Sequence, residues 1–333
     1  MQQPNRVRHG VGEIANCIFA LAVVALPAST AMAQQAYPNR PIRLVTPFPP
    51  GGATDVLSRI ISEKMQEDLG QPVIVDNRGG AAGMIGTEIV AKAPPDGYTI
   101  VNVISSHAIQ QYLYRSVAYD YIKDFDPVIL YARSALAFVV PADLPVNNIK
   151  EYIAYVKASS KPVSYGTSGV GAAVHLAMES FAQATGLNLQ HVPYKGGGPA
   201  VTDVLGGHIP GVMLGLSTVA QYIKGGKVKA LFVSSAKRHP EFPDVPTLQE
   251  SGFPGLVVDE WWAILAPAGT PKPILNTLNA EITKIFARTD VQEKISKLGV
   301  EFIGSTPGQV AEFMQSESAR NAKVIKAAKI EPQ

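Results

Sequence analysis

The sequence predicts an α/β fold with parallel strands, arranged as two similarly built lobes. Short runs of β-branched residues alternate with amphipathic helical stretches, which is the pattern of parallel strands joined by helices. A strand, a glycine-rich loop and a helix follow one another twice, beginning at Ile42 and at Val163. The chain has 333 residues, enough for two lobes of ordinary domain size.

The N-terminal segment has the layout of a secretory signal peptide. Basic residues open it, an apolar run covers 14–26, and Ala31-Met32-Ala33 forms an A-x-A cleavage pattern. The apolar run is too short to span a bilayer comfortably. We therefore predict a signal peptide over residues 1–33, cleaved after Ala33, and an uncleaved membrane anchor is the alternative.

Composition excludes several classes of function. The formal net charge is +2 and no Lys/Arg run forms a phosphate-binding stripe, so we expect no nucleic-acid partner. The single cysteine, Cys17, lies inside the predicted signal peptide, which leaves the mature chain without a disulfide or a thiol nucleophile. The histidines show no ligand-like spacing, so we expect no metal and no other cofactor.

Apolar spacing predicts the elements of the first half. An apolar run indicates a buried strand at Ile42–Thr46, and apolar residues then recur at helical spacing from Val56 until Gly70 supplies a stop. Further strands are predicted at 73–75, 98–104 and 135–140.

The pattern then restarts in the second half. A strand at 163–165 leads through a glycine-rich loop into a helix over 170–185, with Gly186 as its cap. A final helix begins where Thr306 can cap it and Pro307 can occupy its first turn. The remaining predictions are strands at 209–214, 228–234 and 262–266 and a helix after Pro271.

The first glycine-rich loop, residues 47–55, has the features of an anion site. Prolines hold the loop extended, and Gly51-Gly52 lets the backbone approach a guest. The following helix begins with N–H groups that have no internal partner, and these groups and the helix dipole attract an anion. Asp55 would stabilise the helix start and Thr54 could donate its hydroxyl to a ligand. The other interpretation is that Pro and Gly form a turn here and have no role in binding.

The second loop, residues 166–171, is again a glycine-rich loop between a strand and a helix start, and it contains small hydroxyl residues. Two such loops facing each other could hold one small acid, and residues 195–199 form a third glycine-rich candidate. The second loop resembles a nucleophile elbow, but Val170 occupies the final glycine position. A dinucleotide fingerprint beginning at Gly169 likewise lacks its last glycine. A hydrolase or a dinucleotide enzyme is therefore disfavoured.

Two further features each have both a structural and a functional interpretation. His107 follows a strand, where α/β sheets place their binding crevices, so it could face a ligand or pack in the core. Trp261 and Trp262 could line a cleft or brace the strands between the lobes.

A set of motifs runs in order along almost the whole mature chain. They are Tyr37-Pro38 with Pro41-Ile42, P-F-P-P-G-G-A-T-D at 47–55, V-D-N-R-G-G-A-A-G at 75–83, P-D-G-Y-T at 95–99, the loop at 165–171, H-V-P-Y-K-G at 191–196 and A-P-A-G-T-P at 266–271. With these motifs the chain closely resembles the Bug receptors, the TctC-like substrate-binding proteins of tripartite tricarboxylate transport.

The resemblance implies a two-lobed periplasmic-binding fold, type II-like, with a parallel-rich sheet in each lobe and two interlobe crossings near Ala135 and Trp261. Lobe one would combine residues 37–135 with 262–333, and lobe two would span 136–261. The ligand would lie in the cleft between the lobes.

The resemblance also implies that both loops hold a ligand carboxylate through backbone amides, hydroxyls and ordered waters. The family often has Asp or Asn just before the helix at Ser217, where this chain has Gly215-Leu216, so a more apolar ligand body is expected. Carried over by position, the ligand-binding residues are Pro50, Gly52, Thr54, Asp55, Thr167, Ser168 and Gly171, with Ser106 and His107 as weaker candidates.

The function implied is that of a monomeric periplasmic receptor without catalytic activity. It would capture an aliphatic or aromatic carboxylate by hinge closure and deliver it to a membrane permease with one large and one small integral subunit. Two alternatives stay open. The protein could present its ligand to a membrane signalling protein, or it could be an enzyme acting on a small acid with Asp55 or His107 as the titratable group.

Overall fold

Strands and helices alternate along the part of the chain that the computed structural model describes, residues 37–194, 196–328, 330 and 332. The predicted signal peptide, residues 1–33, lies outside these residues. The strands are β1 Ile42–Thr46, β2 Val73–Asn77, β3 Thr99–Ile104, β4 Phe125–Pro141, β5 Val163–Thr167, β6 Leu189–Pro193, β7 Val212–Gly215, β8 Val228–Val233, β9 Asp259–Pro267 and β10 Val300–Phe302. The helices are α1 Ala53–Leu69, α2 Met84–Ala91, α3 Gln110–Leu113, α4 Ile149–Ala158, α5 Ala173–Thr185, α6 Gly197–Leu205, α7 Leu216–Lys224, α8 Lys272–Phe286, α9 Thr289–Ser296 and α10 Pro307–Ala327.

Two mixed sheets share the long strand β4. The first has the order β2-β1-β3-β9-β4, with β10 also on β4, and the second has the order β4-β7-β5-β6, with β8 also on β4. Strands β1, β2 and β3 are parallel, as are β5, β6 and β7, whereas β4 and β9 pair antiparallel with their neighbours. The α/β class and the parallel units predicted at Ile42 and Val163 are confirmed.

Strand β4 passes from one sheet to the other between Ala135 and Leu136. Residues up to Ala135 pair with β9, and residues from Leu136 onward pair with β7 and β8. The strand has 17 residues, most of them buried on both faces. The sequence analysis predicted only 135–140, because Arg133 and Ser134 interrupt the apolar run before that point. Both find partners in β10 or next to it: Arg133 pairs with Glu301 and the Ser134 hydroxyl donates to the Gly299 carbonyl.

Separate apolar cores support the two sheets. Leu57 and Ile61 of α1 pack with Ile282 and Phe286 of α8 against the first sheet. A second core, which includes Phe138, Tyr165 and Phe181, lies against the second sheet. Helices α1 and α5 each begin after a short loop that follows a strand, β1 and β5 respectively.

Most predicted elements are confirmed with shifted ends. The last helix is capped as predicted, with the Thr306 hydroxyl accepting from the Gln309 N–H. Helix α5 begins three residues later than the predicted 170, because Gly171 has a positive φ of 72° and Ala172 is extended. Strand β6 has no predicted counterpart, since its half-exposed residues carry no clear alternation.

In the described part of the chain, every helix is too short or too polar to cross a membrane. The same residues contain no group of three or more His, Cys, Asp or Glu side chains placed to hold a metal ion.

Candidate ligand-binding cleft

A cleft of about 420 Å³ lies where strands of both sheets end. The ends of β1 and β3 contribute from the first sheet and the ends of β5 and β7 from the second, and β9 contributes Glu260 and Trp262. Carboxyl ends of strands are the usual place for ligands in α/β sheets. The principal lining residues are Phe48, Thr54, Ser106, Ile109, Leu113, Tyr114, Ser168, Gly171, Gly197, Ser217, Thr218, Glu260 and Trp262.

Four helices begin at this cleft. The first residues of α1, α5, α6 and α7 contribute to its lining, and none of the four has a side-chain hydrogen bond at its N-cap. The N-cap residues Gly52, Ala172, Gly196 and Gly215 have no side-chain oxygen to offer. The unpaired N–H groups and aligned dipoles at these termini favour a negatively charged guest.

A tryptophan orients one hydroxyl at the start of α1. The Trp262 indole N–H donates to Thr54 Oγ1 at 3.0 Å, and both side chains are almost fully buried. Because the Thr54 oxygen already accepts this bond, its own O–H is available to donate into the cleft. Trp262 therefore both lines the cleft and braces the loop, whereas Trp261 packs against Phe313 on the opposite side.

Asp55 braces the first loop instead of lining the cleft. Its carboxylate accepts from the Gly51 N–H, from Arg59 Nε and from Asn77 Nδ2, each at 3.0 Å. Burial favours the neutral acid, but the hydrogen bonds from Arg59, Gly51 and Asn77 outweigh it and lower the pKa of Asp55. Asn77 also donates to the Phe48 carbonyl at 3.1 Å. The loop is thus held in shape from behind.

His107 is fully buried beneath the cleft. Its Nδ1 lies 3.2 Å from both the backbone nitrogen and the carbonyl oxygen of Ile104, and its Nε2 lies 2.8 Å from Thr87 Oγ1. Burial lowers its pKa to about 4, which keeps the ring neutral at ordinary pH. Its ring also lies edge-to-face with Phe48, 5.9 Å between centroids.

Two stacked histidines support the second loop. The rings of His175 and His191 lie 3.7 Å apart, His191 Nε2 and Thr167 Oγ1 are 2.7 Å apart, and the Gly171 N–H donates to His175 Nδ1 at 3.0 Å. The Gly171 N–H is therefore occupied within the protein. The loop presents Ser168 and the backbone beside it to the cleft.

The structure divides the nine predicted site residues into three groups. Thr54, Ser106, Ser168 and Gly171 line the cleft. Asp55, His107 and Thr167 lie behind it and hold the two loops. Pro50 and Gly52 are exposed on the first loop outside the lining. Ligand contact by each of the nine stays a prediction.

Sequence patterns did not identify Glu260 of β9 as a candidate site residue. This half-buried carboxyl lines the cleft, and burial raises its pKa to about 7. The signal was present: Asp259-Glu260 puts two acids at the start of an apolar strand, where alternation sends one to each face. The start of α6 lies within the third glycine-rich candidate, residues 195–199, and the start of α7 lies at the Gly215-Leu216 position where the family often has Asp or Asn.

The two-sheet α/β fold, with four helix N-termini at one cleft, is the fold of two-lobed solute-binding proteins. The family model of TctC, the tripartite tricarboxylate transporter family receptor, matches residues 57–330. The chain therefore belongs to the TctC family, whose members are periplasmic substrate-binding receptors that work with tripartite transporters. The resemblance read from the sequence motifs is confirmed.

Relatives of known sequence match over nearly the full length. A protein of the tcbD-tcbE intergenic region of Pseudomonas sp. (strain P51) is 40% identical over 311 residues, which are 92% of this chain and 93% of the relative. BugT of Bordetella pertussis is 37% identical over 310 residues, 92% of this chain and 94% of BugT.

Solved structures share the fold. A Rhodopseudomonas palustris protein determined with adipate has a TM-score of 0.78 at 34% identity, covering 89% of this chain and all of that one. MatC from the same organism, with bound malate, has a TM-score of 0.74 at 30% identity, covering 87% of this chain and all of MatC.

Proposed function

We propose that this protein is a periplasmic receptor that captures a small carboxylate by hinge closure and delivers it to a tripartite tricarboxylate-type transporter. The observation that carries the proposal is the group of four uncapped helix N-termini at one cleft. Among the described residues no Lys or Arg lines the cleft, so N–H groups and hydroxyls bind the anion.

The remaining walls accommodate the hydrocarbon part of the ligand. Phe48, Ile109, Leu113, Val170 and Trp262 are apolar surfaces in a cleft of about 420 Å³, which is the size range of small-molecule sites. The relatives solved with adipate and malate support a carboxylate of this size. We propose an aliphatic or aromatic carboxylate as the ligand class.

Closure of the cleft around the ligand is supported by the positions of the four helices, because their N-termini come from both sheets. Helix α1 follows a strand of the first sheet, and α5, α6 and α7 follow strands of the second. A ligand held by both sets binds the closed form more tightly than the open form, which is the condition for ligand-driven closure. We propose residues 37–135 with 262–333 as one lobe and 136–261 as the other.

The proposed receptor acts outside the cytoplasm and does not catalyse a reaction. Cleavage after Ala33 would release a monomer into the periplasm, and a permease of one large and one small integral subunit would read the closed form. Asp55 and His107, the two titratable groups that the sequence offered to an enzyme, lie behind the cleft. That placement supports binding without catalysis.

A thermal-shift screen of the protein purified from the periplasm tests the binding step. Carboxylates are compared with their uncharged amides, and a native-state ligand raises Tm as its concentration exceeds Kd. We expect a rise with an acid and none with its amide, with the acid recovered unchanged. A rise with amides or sugars and none with any acid would contradict the proposal. Loss of uptake on deleting the permease genes, with binding intact, tests delivery.

A further inference from the structure

Glu260 is the one carboxyl among the described residues that line the cleft. It lies on β9 opposite Ser134 of β4, next to the point where β4 passes between the sheets. Its Oε2 is 3.9 Å from where a Cβ would stand at Gly215, the N-cap of α7. The carboxyl therefore faces the same space as the helix N-termini.

No side chain or backbone group of the described residues hydrogen-bonds to this carboxyl. The rise in its pKa comes from burial alone, without a charged neighbour. The charged groups near this part of β9 lie on its other face, where Arg133, Asp259, Glu317 and Arg320 line a separate groove. The other titratable lining residue is Tyr114. Lys195, before α6, lies outside the described residues.

The Glu260 carboxylate has no hydrogen-bond donor among the described residues, and this sets a requirement on a ligand in the anion-binding cleft. A half-buried acceptor without a donor is costly, and two carboxylates in one small cleft repel each other. A ligand that brings a hydroxyl or amino group to this point removes both costs, since that group donates to Glu260 while the ligand carboxylate binds the helix N-termini.

We propose that Glu260 accepts a hydrogen bond from the ligand and selects carboxylates that carry a hydroxyl or amino group. The inference rests on the proposed carboxylate receptor function and names its substrate class. Carboxylates that lack such a donor bind more weakly, because they leave Glu260 without a partner in the closed cleft.

Calorimetric titration of matched acids tests the selectivity. The probes are succinate against malate and aspartate, and benzoate against 4-hydroxybenzoate and 4-aminobenzoate. At pH 8.5 we expect the donor-bearing member of one series to bind at least about tenfold more tightly than its parent, because the parent leaves the Glu260 carboxylate without a donor. Equal affinities of parent and donor-bearing acids would overturn the proposal.

The pH dependence has a definite sign. A donor group stabilises ionised Glu260, so the proton leaves on binding and the preference for the donor-bearing acid shrinks as pH falls from 8.5 to 6.5. The carboxylates of all the probes stay largely ionised over this range. If Glu260 instead shared a proton with a second ligand carboxylate, succinate would bind more tightly than malate at pH 6.5, which overturns the proposal.

Three variants separate the roles of the side chain. Glu260→Met removes the acceptor and abolishes the preference, whereas Glu260→Gln keeps an acceptor, retains the hydroxyl preference and loses its pH dependence. Asp259→Asn alters the neighbouring acid on the other face and leaves the preference unchanged. An unchanged preference in Glu260→Met, with Tm confirming the fold, refutes the inference. Absence of binding by every acid would refute the receptor function itself.

Discussion

A methyl group at position 171 would obstruct the contact between the two sides of the cleft. Gly171 of the second loop faces Leu113 of α3, and a Cβ built on Gly171 lies 1.8 Å from Leu113 Cδ1. Gly171 also has φ +72°, a conformation that costs an alanine roughly 1–2 kcal/mol. Gly171→Ala therefore adds backbone strain and a clash at the same site.

The clash and the strain act on different equilibria. Overpacking typically costs about 1–3 kcal/mol, and the proposed hinge opening would relieve it, because Leu113 and Gly171 belong to the two different proposed lobes. The cost then falls on the closed form, and ligand affinity should drop about 5- to 150-fold. The backbone strain lowers stability whether the cleft is open or closed.

Gly186→Ala is the matched control. Gly186 has a similar φ of +65° at the end of α5, and nothing lies within 4 Å of a Cβ there. We expect Tm to fall by a similar few degrees in both variants, and affinity measured by calorimetry to fall in Gly171→Ala alone. If both variants bind the ligand as tightly as the wild type, the closure argument is refuted.

Three further predictions concern the support of the cleft. Trp262→Phe removes the bond to Thr54, worth about 1 kcal/mol, and should raise the ligand Kd about fivefold by calorimetry, whereas Thr54→Ser should have little effect. Asp55, with its lowered pKa, stabilises the fold above its unfolded pKa of about 3.9 and loses that contribution as pH falls; in urea unfolding between pH 5 and 3, Asp55→Asn should show a weaker loss of stability than wild type. His107 must take up a proton on unfolding between its pKa of about 4 and the unfolded value near 6.5. The contribution of His107 to stability should therefore fall by about 2 kcal/mol from pH 7 to pH 5, and His107→Gln should remove this part of the pH dependence.

Local pattern was enough for the two anion-binding loops. A strand, a Gly-rich loop and a helix start are adjacent in sequence, so the positions of Thr54 and Ser168 follow from neighbouring residues. The same holds for the Thr306 cap of α10, whose partner is three residues away. The predicted start of α5 was less accurate, because the positive φ of Gly171 prevents the helix from beginning before Ala173.

Long-range pairing decided what the sequence could not predict. Strand β4 continues through Arg133 and Ser134 because groups about 165 residues away in sequence satisfy them. His107 looked like a candidate ligand contact, but its partner Thr87 and the packing of Phe48 place it in the core. Glu260 reaches the cleft only because β9 pairs with both β3 and β4.

The absence of a cation among the described lining residues has a consequence for selectivity. A lysine or arginine in the cleft would attract any anion, including one held by a single lobe. Helix N–H groups attract an anion only at short range and in the right direction, so the binding energy appears when both sides contact the ligand. With the anion held this way, Glu260 opposes every acid that does not satisfy it. The helix N-termini thus provide affinity for the carboxylate, and Glu260 selects the rest of the ligand. A mutation of Glu260 can therefore change the selectivity without removing the groups that bind the carboxylate.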